Sequence, residues 1–341
     1  MASSFPFKLK RLEKALEEPL QKRFLGYTQG LVQVQPSGFV MPSQYTTFAD
    51  KYYNFSFKPD DVVIMTHPKC GTTWLQEIIW TMRNNVNIDT DLALDVRSPF
   101  IEFDSLEAPH LEPIMPLVNA FNERNPGKNY KEEGMHLDLT VRTPSPRTIK
   151  THLPFAYLNP NLLDTCKVVY CARNPKDACV SYYHHQRLVR CSEFIGDFAE
   201  FVDYWCKDLI TQGPFWFHVS EGWAKRQHPN VLFLFYEDMK EDIMRELRRL
   251  NEFLVTSLTE DQLQTVANHV KFSNMKSSPS SNPTQAAIKV GRFVKGEEEF
   301  IRKGESGGWP SYFTPEVEAK FQMWMDKWTH VAKEIPFRYK L

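Results

Sequence analysis

The short segment at 68–74 combines the residue types best suited to holding an anion, and it follows a strand-like run at 62–65. A glycine lets backbone N–H groups approach an anion closely. Hydroxyls at the start of a helix donate further hydrogen bonds, and a lysine adds a full charge. The segment differs from the pattern G-x-x-x-x-G-K-[ST], because its lysine precedes its only glycine. The sequence therefore predicts a P-loop-like phosphate site that includes Lys69, Gly71, Thr72 and Thr73.

Cations follow at two later places in the chain. Arg173 comes directly after a second strand-like run and precedes an expected helix that contains Ser181. An arginine and a hydroxyl in this arrangement can clamp a phosphate, although a surface ion pair explains the arginine equally well. Arg302 and Lys303 stand next to Gly304, where a solvated basic loop is the plain alternative. Both places are candidate phosphate contacts.

A possible general base lies at the end of a third strand-like run. Lys150 and His152 are two residues apart, so their side chains point to the same side of a strand. A histidine titrates near neutral pH and can take a proton from a hydroxyl group. A lone histidine at a strand end is more often structural, but the adjacent cation favours a catalytic pair.

Strand-like runs alternate with helical patterns from residue 62 onward, which is typical of an α/β fold with a mostly parallel sheet flanked by helices. Such sheets bind ligands at the carboxyl ends of their strands, where all the candidate residues above stand. The expected strands are 62–65, 148–152, 167–172 and 231–236. Expected helices begin near Thr72, Lys176, Thr259 and Thr314, and a further helix follows Asp238.

The rest of the chain carries weaker signals. Residues 104–146 predict mostly loop, with a short helix at 113–124. Residues 276–298 are polar, serine-rich and contain proline, which is typical of a mobile loop. No internal repeat or linker is evident. We therefore expect a single domain over 1–341, with an N-terminal extension at 1–45.

Composition excludes several classes of function. The chain has 341 residues and a formal net charge of −1, so no global basic field attracts nucleic acid or an anionic membrane. Neither a signal peptide nor a membrane-spanning apolar run is evident. No His, Cys, Asp and Glu cluster has metal-ligand spacing. Six cysteines without a CxxC pair favour a reduced cytoplasmic compartment.

Six motifs in order make the chain resemble the cytosolic sulfotransferase family. They span roughly residues 55–330, and the first, third and sixth together are highly specific. The motifs are THPKCGTTW at 66–74, KTHLP at 150–154, ARNPKDACVSYYHH at 172–185, LFLFYEDM at 232–239, FSNMK at 272–276 and FIRKGESGGW at 300–309.

The resemblance implies a donor, 3′-phosphoadenosine 5′-phosphosulfate (PAPS), whose product is PAP, and a small hydroxylated acceptor. It assigns the 5′-phosphosulfate to Lys69, Cys70, Gly71, Thr72 and Thr73. It assigns the 3′-phosphate to Arg173, Ser181, Arg302, Lys303 and Gly304, and the adenine to Trp74, Tyr236 and Phe272. By the same resemblance, His152 is the base, Lys69 neutralises the leaving nucleotide, and Lys150 stabilises the sulfuryl oxygens. No metal is implied.

Several positions depart from the family pattern. Cys70 replaces the usual serine, and Val270 and Lys271 replace the usual Thr-Ser. His185 replaces a common acceptor-site phenylalanine, which bears on the choice of acceptor. The usual dimerisation motif is degraded, since three of its positions are Pro310, Pro315 and Ala319. The chain is therefore expected as a monomer or as a dimer of another kind.

Three other functions stay open at this point. A nucleotide kinase would also place a cationic loop after a strand, although the Walker lysine is missing. A non-catalytic protein that binds a nucleotide or an apolar ligand would not need the pair of Lys150 and His152. The long segment at 104–147 and the N-terminal extension are similar to invertebrate members of the family. One of these, in insects, dehydrates retinol by transient sulfation with the same donor.

Overall fold

A computed structural model describes residues 4–107, 110–296 and 298–340. Its strands form two sheets, one of three strands and one of four. In chain order the strands are β1 Lys8–Arg11, β2 Leu31–Gln35, β3 Phe39–Pro42, β4 Val62–Thr66, β5 Thr148–Thr151, β6 Lys167–Ala172 and β7 Val231–Phe235.

The four-stranded sheet has the order β5-β4-β6-β7, and every neighbouring pair is parallel. Its register pairs Ile64 with Lys150 and Thr66 with Cys171. The carboxyl ends of all four strands therefore meet at one edge. The predicted parallel sheet and its four strands are confirmed, with boundaries that shift by about one residue.

Helices flank this sheet. In chain order they are α1 Lys14–Gln21, α2 Tyr45–Tyr53, α3 Thr72–Arg83, α4 Leu94–Arg97, α5 Met115–Arg124, α6 Tyr130–Glu133, α7 Met135–Arg142, α8 Leu162–Thr165, α9 Pro175–Leu188, α10 Phe198–Cys206, α11 Phe215–Ala224, α12 Tyr236–Glu241, α13 Ile243–Leu254, α14 Glu260–His269, α15 Phe272–Ser277, α16 Thr284–Lys289, α17 Pro315–Lys327 and α18 Thr329–Ala332. Three short 3₁₀ helices are Phe103–Ser105, Phe155–Tyr157 and Trp309–Ser311.

Local capping signals confirm the predicted helix starts. Thr259 and Gln262 form a reciprocal capping box at the start of α14. The Thr314 side chain accepts a hydrogen bond from the Val317 N–H, and Pro315 occupies the first position of α17. The helix after the glycine loop begins at Thr72, as expected.

Both faces of the parallel sheet are buried. Alternate residues of β4 enter two different apolar clusters: Val63 and Met65 pack on one face, and Val62 and Ile64 on the other. Because both sets of side chains are buried, consecutive residues of each strand are apolar, and each strand is a continuous apolar run in the sequence. The sheet is therefore held rigidly between two helical layers, and the loops at its edge start from fixed points.

The structure corrects one sequence expectation and adds elements where no expectation was made. Residues 104–146 are not mostly loop, because α6 and α7 follow the predicted short helix. The N-terminal extension contains structure as well: β1, β2 and β3 form an antiparallel sheet. Segments of only four to eight residues contain too few repeats of a helical or strand period to reveal such elements before their packing partners are known.

Residues 276–298 are likewise not loop throughout, since α16 lies within them. The Ser281 hydroxyl is buried and donates a hydrogen bond to the Glu77 carboxylate at 2.6 Å. The Leu94 N–H donates to the Ser280 carbonyl oxygen at 2.8 Å. These contacts fasten the start of the segment to α3 and α4. In the part of the chain that is described, no helix combines the length and apolar character needed to cross a bilayer.

Candidate active site

A cavity of about 630 Å³ lies at the carboxyl edge of the parallel sheet. All the predicted site residues except one line it, although they are distant from one another in the sequence. These lining residues are Lys69, Gly71, Thr72, Thr73, Trp74, Lys150, His152, Arg173, Ser181, Tyr236, Phe272, Arg302, Lys303 and Gly304.

Cys70 is the exception. Its thiol is fully buried in the apolar core and donates a weak hydrogen bond to the Pro68 carbonyl oxygen at 3.7 Å. Burial raises the pKa of the Cys70 thiol to about 12, so the thiol stays neutral. The Cys70 N–H donates to the His67 carbonyl oxygen at 3.3 Å. Cys70 therefore shapes the loop from behind, and its side chain does not face the cavity.

The loop between β4 and α3 has an unusual backbone. Lys69 and Gly71 both have a positive φ, of 67° and 97°. A Cβ atom at Gly71 would come within 2.8 Å of the Tyr236 ring, so this position needs a glycine. The turn delivers the first N–H groups of α3, which have no partner within the helix, to the cavity wall.

Cations from separate elements converge on this loop. Burial is the main cause that lowers the pKa of Lys69 to about 7, and the charges of Lys150, Arg173 and Arg302 lower it further. The Lys69 Nζ lies 4.7 Å from the centre of the Phe300 ring, and the Lys150 Nζ lies 4.0 Å from that of Phe100. Clustered, poorly hydrated cations of this kind favour a bound anion with several charges.

Arg173 joins two loops of the site. Its guanidinium donates to the Lys69 carbonyl oxygen at 3.2 Å and to the Glu305 carbonyl oxygen at 2.7 Å. Its Nε atom is buried and has no hydrogen-bond partner among the described residues. Two nitrogens of this arginine thus bind backbone carbonyl oxygens of the two loops, and the third, Nε, is available to a ligand.

An aromatic recess lies beside these cations. The Trp74 Nε1 donates to the Val270 carbonyl oxygen at 3.0 Å, and the Trp74 and Tyr236 rings meet edge to face at 5.8 Å. The Phe272 ring packs directly against Gly304, which has a φ of 64°. Val270 therefore contributes its backbone to the recess, whereas Lys271 is exposed.

His152 is oriented by three contacts. Its Nδ1 lies 2.7 Å from the Thr66 carbonyl oxygen, which can only accept, so Nδ1 carries the proton and Nε2 is left as a base. The His152 N–H donates to Glu102, and its carbonyl oxygen accepts from His218 Nε2 at 3.1 Å. Burial and the Lys150 charge lower the pKa of His152 well below its usual value. The ring is therefore neutral at physiological pH.

Sequence reasoning missed three supporting residues: Glu102, His218 and Asp177. Glu102 is fully buried and holds both the His152 N–H and the Thr151 hydroxyl. Burial raises the pKa of Glu102 to about 7. Asp177 accepts from the Gly307 and Trp309 N–H groups and thereby fixes the loop at 302–309 to α9. Asp177 lies in the first turn of α9, so the pattern of a helix start could have indicated it. Glu102 binds a residue 50 positions away in the sequence, and no local pattern indicates such a contact.

The remaining wall of the cavity is mostly apolar. It is built from α7, α9, α16 and the segments around them. His185 lies in this wall, and its ring packs against Phe300 at 5.8 Å between ring centres. Its Nδ1 is buried and has no hydrogen-bond partner among the described residues. Within those residues, no group of three or more His, Cys, Asp and Glu side chains is placed to hold a metal ion.

The fold and the site define an α/β enzyme with a polyanion pocket next to an oriented base and an apolar pocket. The family model of the sulfotransferase domain matches residues 59–333. Sulfotransferase 1B1 of Canis lupus familiaris is 34% identical over 281 residues, which cover 81% of this chain and 87% of that protein. Sulfotransferase 1E1 of Homo sapiens is 33% identical over 288 residues, with a coverage of 83% and 88%.

A solved structure extends the similarity to nearly the whole chain. Retinol dehydratase in a complex with retinol and PAP superposes with a TM-score of 0.86 at 29% identity, covering 99% of this chain and 100% of that one. The chain belongs to the sulfotransferase family. It is a PAPS-dependent enzyme that transfers a sulfuryl group to the hydroxyl group of a small-molecule acceptor.

Proposed function

We propose that the enzyme sulfates the hydroxyl group of a small apolar acceptor and that His152 is the base. The orientation of His152 is the observation that carries this proposal. Its protonated Nδ1 is held by the Thr66 carbonyl oxygen, so the free Nε2 belongs to the same cavity as Lys69 and Lys150. A neutral imidazole in this state can accept the proton of an attacking hydroxyl group.

The residues at the other end of the cavity fit a nucleotide with anions on both sides of one ribose. Gly71 and Gly304 allow the Tyr236 and Phe272 rings to approach the two loops closely, and Arg173 has an unpaired buried Nε. We assign the 5′ end to the loop at 69–73 and the 3′-phosphate to Arg173, Ser181 and residues 302–304. The adenine then belongs in the recess of Trp74, Tyr236 and Phe272.

PAPS supplies an activated sulfuryl group when it is bound. Lys69 is positioned to neutralise charge on the leaving nucleotide, and Lys150 to neutralise charge on the transferred oxygens. Burial strengthens both effects, because few water molecules screen these charges. We further propose that the enzyme works in the cytosol, which its six free cysteines support. Pro315 begins α17 where the family dimer motif would lie, so we propose an assembly other than the usual family dimer.

Sulfuryl transfer from labelled PAPS to phenols, sterols, catecholamines and retinoids tests the proposed acceptor class. His152→Ala is expected to bind PAP with an unchanged Kd and to lose about 100- to 10,000-fold in kcat, as expected for a missing general base. The PAP measurement is the control for an intact fold. Retained turnover in His152→Ala would show that another group is the base.

A second candidate is sulfation followed by elimination, as in a dehydratase. It is favoured by the likeness to retinol dehydratase over 99% of this chain. Mass spectrometry of the product from a polyene alcohol separates the two reactions. A stable sulfate ester supports simple transfer, and a product lighter than the alcohol by one water molecule supports elimination.

A further inference from the structure

Arg292 and Glu107 form an ion pair in the wall of the apolar part of the cavity. Their closest charged atoms are 2.9 Å apart, and their side chains are only 11% and 19% exposed. The mechanism of sulfuryl transfer uses neither residue. A charged pair in an otherwise apolar wall is costly unless its polar atoms are satisfied.

The protein satisfies those atoms only in part. Arg292 Nη2 and Glu107 Oε1 are the two atoms that face each other in the ion pair, whereas the buried Nε of Arg292 has no hydrogen-bond partner among the described residues. The fully buried pair of Arg147 and Asp61 differs, because two guanidinium nitrogens donate to the two carboxylate oxygens at 2.8 and 2.6 Å. The pair at the cavity thus has a guanidinium donor, Arg292 Nε, to spare.

Both side chains start from fixed backbone. The Glu107 N–H donates to the Phe103 carbonyl oxygen at 3.2 Å. The Arg292 N–H donates to the Ala287 carbonyl oxygen at 2.7 Å, and its carbonyl oxygen accepts from the Arg190 N–H at 2.9 Å. The two charged groups are therefore held in place as a preorganised feature of the wall.

The pair lies beyond the reacting centre along α9. The Phe300 ring contacts both the His185 ring and the Lys69 Nζ, so His185 lies near the reacting centre. Val189, which pairs with Phe293, is four residues further on, or about 6 Å at 1.5 Å per residue. Arg292 is the neighbour of Phe293 in the chain and so lies at this far end. The wall around it is apolar and includes Leu106, Ala287, Val290 and Phe293.

We propose that Arg292 and Glu107 bind a second hydroxyl group at the far end of the acceptor, so that the preferred substrate is an elongated apolar diol. This inference rests on the proposed function. A hydroxyl group accepts from Arg292 and donates to Glu107 at once. A carboxylate would be repelled by Glu107 and an ammonium group by Arg292, so a neutral group with both capacities suits the pair.

The test compares 4-alkylphenols of increasing chain length with their ω-hydroxylated analogues. At the chain length that spans the cavity, we expect the analogue to have about a tenfold lower KM, because hydrogen bonds to charged partners are the strong ones. Binding of both phenols to the PAP complex is measured by calorimetry, so the preference is read independently of turnover.

The double variant Arg292→Met/Glu107→Gln removes both charges and leaves no lone buried ion. We expect its ratio of KM values, and of Kd values, to fall to about one. The control is Arg190→Met, whose exposed side chain pairs with Glu193 outside the cavity and whose ratio stays at the wild-type value. Thermal unfolding verifies that each variant is folded.

The outcomes separate the two proposals. Equal affinity of wild type for both phenols, or a preference that survives in the double variant, overturns the diol site. A preference in binding without sulfuryl transfer to either phenol supports the diol site and counts against the proposed phenol-type acceptor reaction. Transfer without any preference leaves the reaction standing and removes the second site.

Discussion

At Lys69, burial and three neighbouring cations act in the same direction. Burial is the larger cause, and together they hold the pKa of Lys69 near 7. A multiply charged anion in the cavity reverses this balance, because an opposite charge nearby favours the ammonium form. The pKa of Lys69 therefore rises when the nucleotide binds.

This change predicts proton uptake upon PAP binding. Near pH 7.5 much of Lys69 is unprotonated in the free enzyme and protonated in the complex, so up to about one proton per site is taken up. Calorimetry in two buffers with different ionisation enthalpies measures this number. Lys69→Met should abolish the uptake, while Lys271→Met, at an exposed position outside the cavity, should retain it. Equal uptake in all three proteins would assign the proton to another group.

At the scale of elements, the proposed donor site depends on how the loop at 302–309 meets α9 and α15. Asp177 of α9 accepts N–H groups of the loop, and Arg173 donates to the Glu305 carbonyl oxygen. On the other side, Gly304 lies against the Phe272 ring. The loop is thus located by contacts with two helices that are far apart in the sequence.

Gly304→Ala is expected to weaken PAP binding about tenfold. The new methyl group would overlap the Phe272 ring, and the φ of 64° is unfavourable for alanine, so the loop or the ring must move. The Kd for PAP measures the effect. Gly296→Ala serves as the control, because a Cβ atom there meets nothing within 4 Å and the residue is exposed. Unchanged PAP affinity in Gly304→Ala would show that the loop adapts without cost.

At the scale of the whole molecule, Glu77 connects four distant parts of the chain. It lies in α3 and binds Arg97 of α4, His269 of α14 and Ser281. Burial opposes its ionised form, but these hydrogen bonds outweigh burial and lower the pKa of Glu77 to about 2. Because the pKa is depressed in the folded state, this stabilisation is complete above the unfolded pKa near 4.5. It is lost as the pH falls toward 2.

Arg97→Met should lower the free energy of unfolding by about 3 kcal/mol at pH 7. The substitution removes the bidentate partner of a buried carboxylate and leaves a charge that is only partly compensated. Urea unfolding with an unchanged m-value measures the loss. Arg124→Met breaks an exposed pair with Asp138 and should cost less than about 1 kcal/mol. Equal losses in both variants would mean that the Glu77 connections add no special stability.

The single-domain organisation over 1–341 and the mobility of residues 276–298 stay predictions. The match of residues 59–333 to the sulfotransferase domain rules against the kinase alternative. The structure nonetheless shows that the start of the 276–298 segment is tied to Glu77 through Ser281. Motion at the start of this segment must therefore break a buried hydrogen bond.

Local signals were sufficient to predict the parallel sheet, the start of α3 and most of the residues that line the cavity. Strand periodicity, capping residues and a glycine beside a lysine are properties of neighbouring positions, so they can be seen before the chain is folded. Arg173 and His152 directly follow strands, and Lys69 lies three residues after β4. The topology of a parallel sheet then brings the ends of these strands to one edge.

Other features depended on contacts between distant residues, and only the tertiary structure decided them. Cys70 stands inside the phosphate-loop motif, yet packing turns its thiol into the core. Glu102 and His218 hold the backbone of His152 from segments that share no pattern with it. The pair of Arg292 and Glu107 exists only because the segment after the 3₁₀ helix Phe103–Ser105 meets the segment after α16. The sequence by itself determined the type of chemistry, since that follows from residue types and their spacing. Tertiary packing decided the orientation of His152, the charge state of Lys69 and the shape of the cavity, because burial and long-range contacts set all three.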